Sequence, residues 1–112
     1  MKRPEQELQK AVMQYIKLQY PGVLAFTIPN GGYRRKIEAA IFKSLGVRAG
    51  VPDVILHWSY GKTAYIELKS AKGRLSPEQK QFSTECLALG IPWACCNSLD
   101  AVIGTLKGWG VK

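Results

Sequence analysis

Between Pro4 and Tyr20 the apolar positions Leu8, Ala11, Val12, Tyr15, Ile16 and Leu18 recur largely at three- and four-residue spacing. That period places them on one face of an amphipathic helix, opened by Pro4 and closed by Pro21-Gly22. The period then changes. Val23 to Ile28 is a β-branched and aromatic run that predicts a strand, stopped by Pro29-Asn30-Gly31-Gly32. A second helix is expected from about Arg35 to Leu45, with Gly46 at its end.

Beyond a loop containing Arg48, Gly50 and Pro52, Asp53 to Trp58 has strand composition, and Gly61-Lys62 turns the chain back into Thr63 to Lys69. The pair predicts a β-hairpin. Ser76-Pro77-Glu78-Gln79 carries the signals of a helix start: an N-cap serine, a proline at the first helical position and a capping-box partner in Gln79. That helix should run to about Leu89 and stop at Gly90. A short strand over Trp93 to Cys96 and a last helix from Ser98 to Leu106, capped by Ser98 or Asn97, complete the order α-β-α-β-β-α-β-α. This order predicts an α/β fold with a mixed sheet flanked by helices.

At 112 residues, the chain has room for one domain with a hydrophobic core, residues 1–112, and for no second domain of ordinary size. A content of 46% hydrophobic and 21% charged residues, without repeats or biased runs, argues against disorder. No segment approaches the ~20 apolar residues of a membrane span, and the polar N-terminus is unlike a signal peptide. An intracellular protein without a membrane partner is expected. Cys86, Cys95 and Cys96 are odd in number, and His57 lies far from them in sequence, which speaks against a zinc site and a disulfide framework. Cys95 and Cys96, in an apolar strand, are expected to be buried thiols. His57 and the tryptophans Trp58, Trp93 and Trp109 are read as structural. Sixteen Lys and Arg against eight Asp and Glu give a net charge of +8, which favours a polyanionic partner.

The chemistry is concentrated in Gly50-Val51-Pro52-Asp53, followed after thirteen residues by Glu67-Leu68-Lys69. On a strand Glu67 and Lys69 share a face, and a hairpin brings Asp53 beside Glu67. Two adjacent carboxylates repel unless a cation lies between them, and hard oxygen ligands select Mg²⁺ or Mn²⁺. Such a site can activate water and stabilise the negative charge of a reacting phosphate. Lys69 could orient the water and neutralise phosphate charge.

Pro52-Asp53…Glu67-Leu68-Lys69 resembles the PD-(D/E)XK nuclease signature. More specifically, the chain is similar to the VRR-NUC (virus-type replication-repair nuclease) family in its standalone phage and bacterial form. The resemblance extends over Glu5-Gln6-Glu7-Leu8-Gln9, Ile28-Pro29-Asn30-Gly31-Gly32, Gly46 to Asp53, Glu67-Leu68-Lys69 and Leu75-Ser76-Pro77-Glu78-Gln79. It implies a restriction-endonuclease-like fold, with Asp53, Glu67 and the Leu68 backbone carbonyl as metal ligands and Lys69 as the catalytic lysine. Gln79 matches a glutamine that approaches the same water or phosphate. The acidic residue of the first helix is placed at Glu5, with Gln9 one turn on and Glu7 as the alternative. Plainer readings stand beside these: Glu5 as a favourable charge at a helix N-terminus, and Gln79 as a cap partner only.

Arg34, Arg35 and Lys36 after the Gly-Gly turn, with Arg48, Lys72 and Arg74, are candidates for phosphate contacts. Asn30 and Tyr33 are candidates for nucleotide contacts. Taken together, the expected activity is Mg²⁺- or Mn²⁺-dependent phosphodiester hydrolysis of DNA, with no organic cofactor. The resemblance further implies a homodimer that cuts Holliday junctions or related branched DNA, in the cytoplasm of a bacterial or phage-infected cell. An accessory helicase is left open as a partner. The alternatives are the same chemistry on flap, single-stranded or duplex DNA, and a binding module without catalysis.

Overall fold

A computed structural model describes residues 4–29 and 36–112. The elements follow in the expected order: α1 (Pro4–Gln19), β1 (Leu24–Phe26), α2 (Lys36–Ser44), β2 (Val54–Trp58), β3 (Lys62–Leu68), α3 (Pro77–Leu89), β4 (Trp93–Cys96) and α4 (Leu99–Trp109). The four strands form one mixed sheet in the order β1-β2-β3-β4. The first two pairings are antiparallel, and β4 joins β3 in parallel after the α3 crossover.

One face of the sheet makes the core. Val54, Leu56, Trp58, Ala64, Ile66, Leu68 and Cys96 pack against Val12 and Ile16 of α1 and Val102 and Leu106 of α4. Strand alternation sends Asp53, Glu67, Lys69 and Cys95 to the opposite face. There α3 covers part of the sheet, with the Phe82 ring edge-on to Tyr65 at 5.2 Å between centroids.

Each later helix stops where a glycine takes the left-handed backbone its closing turn requires. At Gly90, φ is 72°, and the following Ile91 amide bonds back to the Cys86 carbonyl at 2.9 Å. Three expectations change. Leu18 is 78% exposed, because at the far end of α1 it falls beyond the stripe that meets the sheet. The strand expected over Val23 to Ile28 shrinks to three residues, since β1 is an edge with only β2 to pair with. Cys95 is exposed, because alternation separates it from buried Cys96. Among the described residues no helix is long and apolar enough to cross a membrane.

Candidate active site

The site begins where β2 has not yet started. Continuing the β2–β3 register from Val54↔Ile66 sets Asp53 opposite Glu67 and Pro52 opposite Leu68. The amides of Tyr65 and Lys69 donate to the β4 side, to the carbonyls of Pro92 just before that strand and of Cys96 within it. Leu68, one step between in phase, therefore turns its N–H and C=O toward β2. Its N–H donates to Asp53 Oδ2 at 2.7 Å. Its carbonyl faces Pro52, which has no N–H to give. The proline thus leaves a strand carbonyl without its ladder donor beside two carboxylates.

Glu67 is the one charged residue buried among the described residues, only 3% exposed. Burial, then the neighbouring Asp53 carboxyl, push its own carboxyl up to about 8; Lys69 opposes the shift and Glu5 adds to it. Lys69 Nζ lies 4.0 Å from Glu67 Oε2. Of the two first-helix acids, Glu5 is half-buried and its charge raises the Glu67 pKa, whereas Glu7 lies on the exposed side of α1.

Gln79 has two partners at once. Its Oε1 accepts from the Ser76 amide at 2.8 Å, while the Gln79 amide donates to Ser76 Oγ at 3.1 Å, the reciprocal pair of a capping box. The other end of the same side chain, Nε2, donates to Glu67 Oε2 at 3.1 Å. The same side chain therefore closes the cap and reaches Glu67.

The loop before Asp53 is fixed onto α3. Gly50, at φ +83°, approaches so closely that a Cβ there would sit 2.5 Å from the Glu78 carbonyl carbon and 2.8 Å from the Gln79 nitrogen. Arg48 donates to both Glu85 oxygens, at 3.1 and 2.5 Å, and its guanidinium lies 5.1 Å from the Phe82 ring centre. That guanidinium is engaged within the protein. Lys36, Lys72 and Arg74 are exposed. Arg34, Arg35, Asn30 and Tyr33 lie outside the described residues.

Sequence reasoning missed Gly50 as a contact, the reason for Pro52, and Cys95. Cys95 pairs in register with Glu67 on β4, and its thiol is pushed up by partial burial and by the charge of Glu67. Only the parallel register of β4 reveals that neighbour, and no local motif encodes it.

Among the described residues no cluster of three His, Cys, Asp or Glu side chains could hold a metal. Two carboxylates and one backbone carbonyl could, and that donor set suits a hard cation that keeps waters and takes phosphate oxygens. The adjacent carboxyls of Asp53 and Glu67, with the Leu68 carbonyl that Pro52 leaves without a ladder donor, fit such an ion.

A family model for the VRR-NUC domain matches residues 3–100. A solved structure described as a VRR_NUC domain protein is 26% identical, with a TM-score of 0.74 over 97% of this chain and 89% of its own. A second, described as a VRR_NUC domain, is 16% identical and shares the fold, with a TM-score of 0.70 over 96% of this chain and 99% of its own. No curated protein matches the chain significantly.

Proposed function

Because the chain belongs to the VRR-NUC domain family, a family of PD-(D/E)XK-type nucleases, we propose that it is a divalent-metal-dependent DNA endonuclease whose site is built on Asp53, Glu67 and Lys69. The observation that carries this reading is the buried Glu67 carboxyl, held against Asp53 and reached by both Lys69 and Gln79. A buried like-charged pair is costly to keep unless a cation or a proton separates the charges.

Asp53, Glu67 and the Leu68 carbonyl would hold Mg²⁺ or Mn²⁺, which supplies Lewis-acid stabilisation of the scissile phosphate and a lower pKa for attacking water. Lys69, on the same face, faces the reacting phosphate, where its ammonium orients water and offsets charge developing on the non-bridging oxygens. Gln79 holds the Glu67 carboxylate by Oε2. Glu5 adds a third carboxylate at the margin of the site. In-line attack of water at phosphorus expels the 3′-oxygen and leaves a 5′-phosphate on the other fragment. Lys36, Lys72 and Arg74, all exposed, contact backbone phosphates, together with Arg34 and Arg35. Arg48 serves the same surface through its hold on α3.

The substrate proposed is a four-way junction or related branched DNA, cut by paired incisions of a homodimer. Pairing is supported by α2, none of whose residues is fully buried. Ile37 and Ile41 on it, and Leu45 just past its end, recur every four residues and are 75%, 53% and 73% exposed. A second copy packed on this face would cover these apolar side chains. The test is cleavage of end-labelled four-way junction, flap, duplex and single-stranded DNA with Mg²⁺, Mn²⁺ or EDTA. Symmetric, metal-dependent incision of the junction is expected. Equal cleavage of all four substrates would overturn the branched-DNA reading, and cleavage of none would overturn the nuclease reading.

A further inference from the structure

We propose that Ser76 is a positioning residue of the site: with Gly50, it fixes the first turn of α3 so that Gln79 presents Nε2, and not Oε1, to Glu67. The inference rests on the reading of Glu67 as a cation ligand.

A glutamine amide has a donor end and an acceptor end of nearly the same shape, so its orientation is decided by its surroundings. Here the Ser76 N–H decides it. That donor requires an acceptor, and Gln79 Oε1 meets it at 2.8 Å. Nε2 is then left for Glu67 Oε2 at 3.1 Å. The reversed amide would set a donor against the Ser76 N–H and, with Glu67 ionised as a cation ligand, an oxygen against a carboxylate oxygen, losing both bonds. The cap itself depends on Ser76 Oγ, which accepts from the Gln79 amide and so holds the residue at the third position of the helix.

Gly50 closes the same turn from the other side. The backbone of Glu78 and Gln79 occupies the space a side chain at residue 50 would need. The loop that delivers Asp53 and the turn that delivers Gln79 are thus in direct backbone contact. Lys69 Nζ lies 4.0 Å from the same Oε2, so α3 and β3 both reach one oxygen of the Glu67 carboxyl, beside its contact with Asp53. Partners of this kind, which orient a metal ligand from behind, commonly change metal affinity by about 10–100-fold when removed.

The α4 helix offers an internal control. Ser98 caps it in the same way, its side chain accepting from the Ala101 amide at 3.1 Å, and it makes no such bridge to the site. Loss of either cap costs comparable stability. Only loss of the Ser76 cap should release Gln79.

The experiment compares the full chain with Ser76→Ala, Ser76→Thr and Ser98→Ala. Two quantities are read: the Gln79 side-chain amide resonances in ¹⁵N-labelled protein, and Mn²⁺ affinity by calorimetry. Ser76→Gly, which removes the same oxygen at smaller cost to the helix, stands in if Ser76→Ala does not fold. Expected for Ser76→Ala is collapse of the Gln79 amide pair toward solvent-exposed values, with Mn²⁺ bound about tenfold more weakly. Ser76→Thr should restore both, and Ser98→Ala should lower the melting temperature while changing neither. Wild-type Gln79 resonances in Ser76→Ala would overturn the proposal, as would equal weakening of Mn²⁺ binding in Ser98→Ala. A wild type that binds no Mn²⁺ would overturn the reading of Glu67 as a ligand, and with it the role proposed for the cap. In that case the resonances still report whether Ser76 orients Gln79.

Discussion

Leu68 gives its amide hydrogen to the side chain of Asp53, at 2.7 Å, where a continuous ladder would give it to the backbone of the facing strand. The carboxylate thus ends the β2–β3 pairing and is aimed by it. Opposite the same residue stands Pro52, buried and without an N–H, so the Leu68 carbonyl meets no ladder donor. Side chain and backbone oxygens of two neighbouring strands are brought together by the way one hairpin frays.

Pro52→Ala restores an N–H facing that carbonyl. The expected outcome is a folded protein whose residue 52 amide is protected from hydrogen exchange and whose Mn²⁺ affinity falls about tenfold. Unchanged affinity together with a protected amide would show that the Leu68 carbonyl takes no part in holding the ion.

The Glu67 carboxyl makes a prediction about pH. Its pKa, raised to about 8 by burial and by Asp53, means that the folded protein holds this proton more tightly than the unfolded chain does. The associated stability is complete below the ordinary carboxylate range. It is lost as pH climbs from that range to about 8. Glu67→Gln removes this slope, so at pH 8.5–9, roughly a unit above that value, the metal-free variant should melt at least about 5 °C above wild type. Mn²⁺ should raise the melting temperature of wild type and leave the variant unmoved. A wild type whose metal-free stability is flat between pH 5 and 9, roughly the window of the shift, would contradict the assignment.

Gly50 and Gly46 separate strain from collision. Both have positive φ, +83° and +95°, but a Cβ at Gly46 meets nothing within 4 Å, whereas one at Gly50 strikes the backbone of α3. Gly46→Ala should cost about 1 kcal/mol and keep activity. Gly50→Ala should cost about 2–3 kcal/mol and lower activity at temperatures where it is fully folded. Thermal melts and cleavage rates of the two variants, side by side, check this.

The apolar face of α2 predicts the assembly. Light scattering of wild type at micromolar concentration should give the mass of a dimer, and Ile37→Glu with Ile41→Glu that of a monomer with the same circular dichroism. A monomeric wild type would remove paired incision by a stable dimer.

Much of this fold is legible in the sequence because local signals agree with one another. Ser76, Pro77 and Gln79 mark the start of α3 at the residue where it begins, and Gly90 marks its stop. Period-2 alternation by itself puts Glu67 and Lys69 on one face, and the hairpin signal at Gly61 brings Asp53 to them. What stays hidden depends on elements distant in sequence. The exposure of Cys95 and its place beside Glu67 need the parallel register of β4. The contact of Gly50 with α3 needs the crossover to return above the loop. Gln79 carries two competing readings, cap or site, because sequence shows a residue type and not the two ends of its amide.

Asp53 and Lys69 are proposed to serve one metal-dependent hydrolytic site. The most direct test is cleavage of end-labelled branched DNA in Mn²⁺ by wild type, Asp53→Ala and Lys69→Ala, each first shown to be folded by circular dichroism. Wild type should incise in a way that EDTA abolishes, and either variant should incise at least about a thousandfold less, the scale of loss expected when charge stabilisation in a transition state is removed. Cleavage by a folded Asp53→Ala or Lys69→Ala protein at the wild-type rate would contradict that proposal.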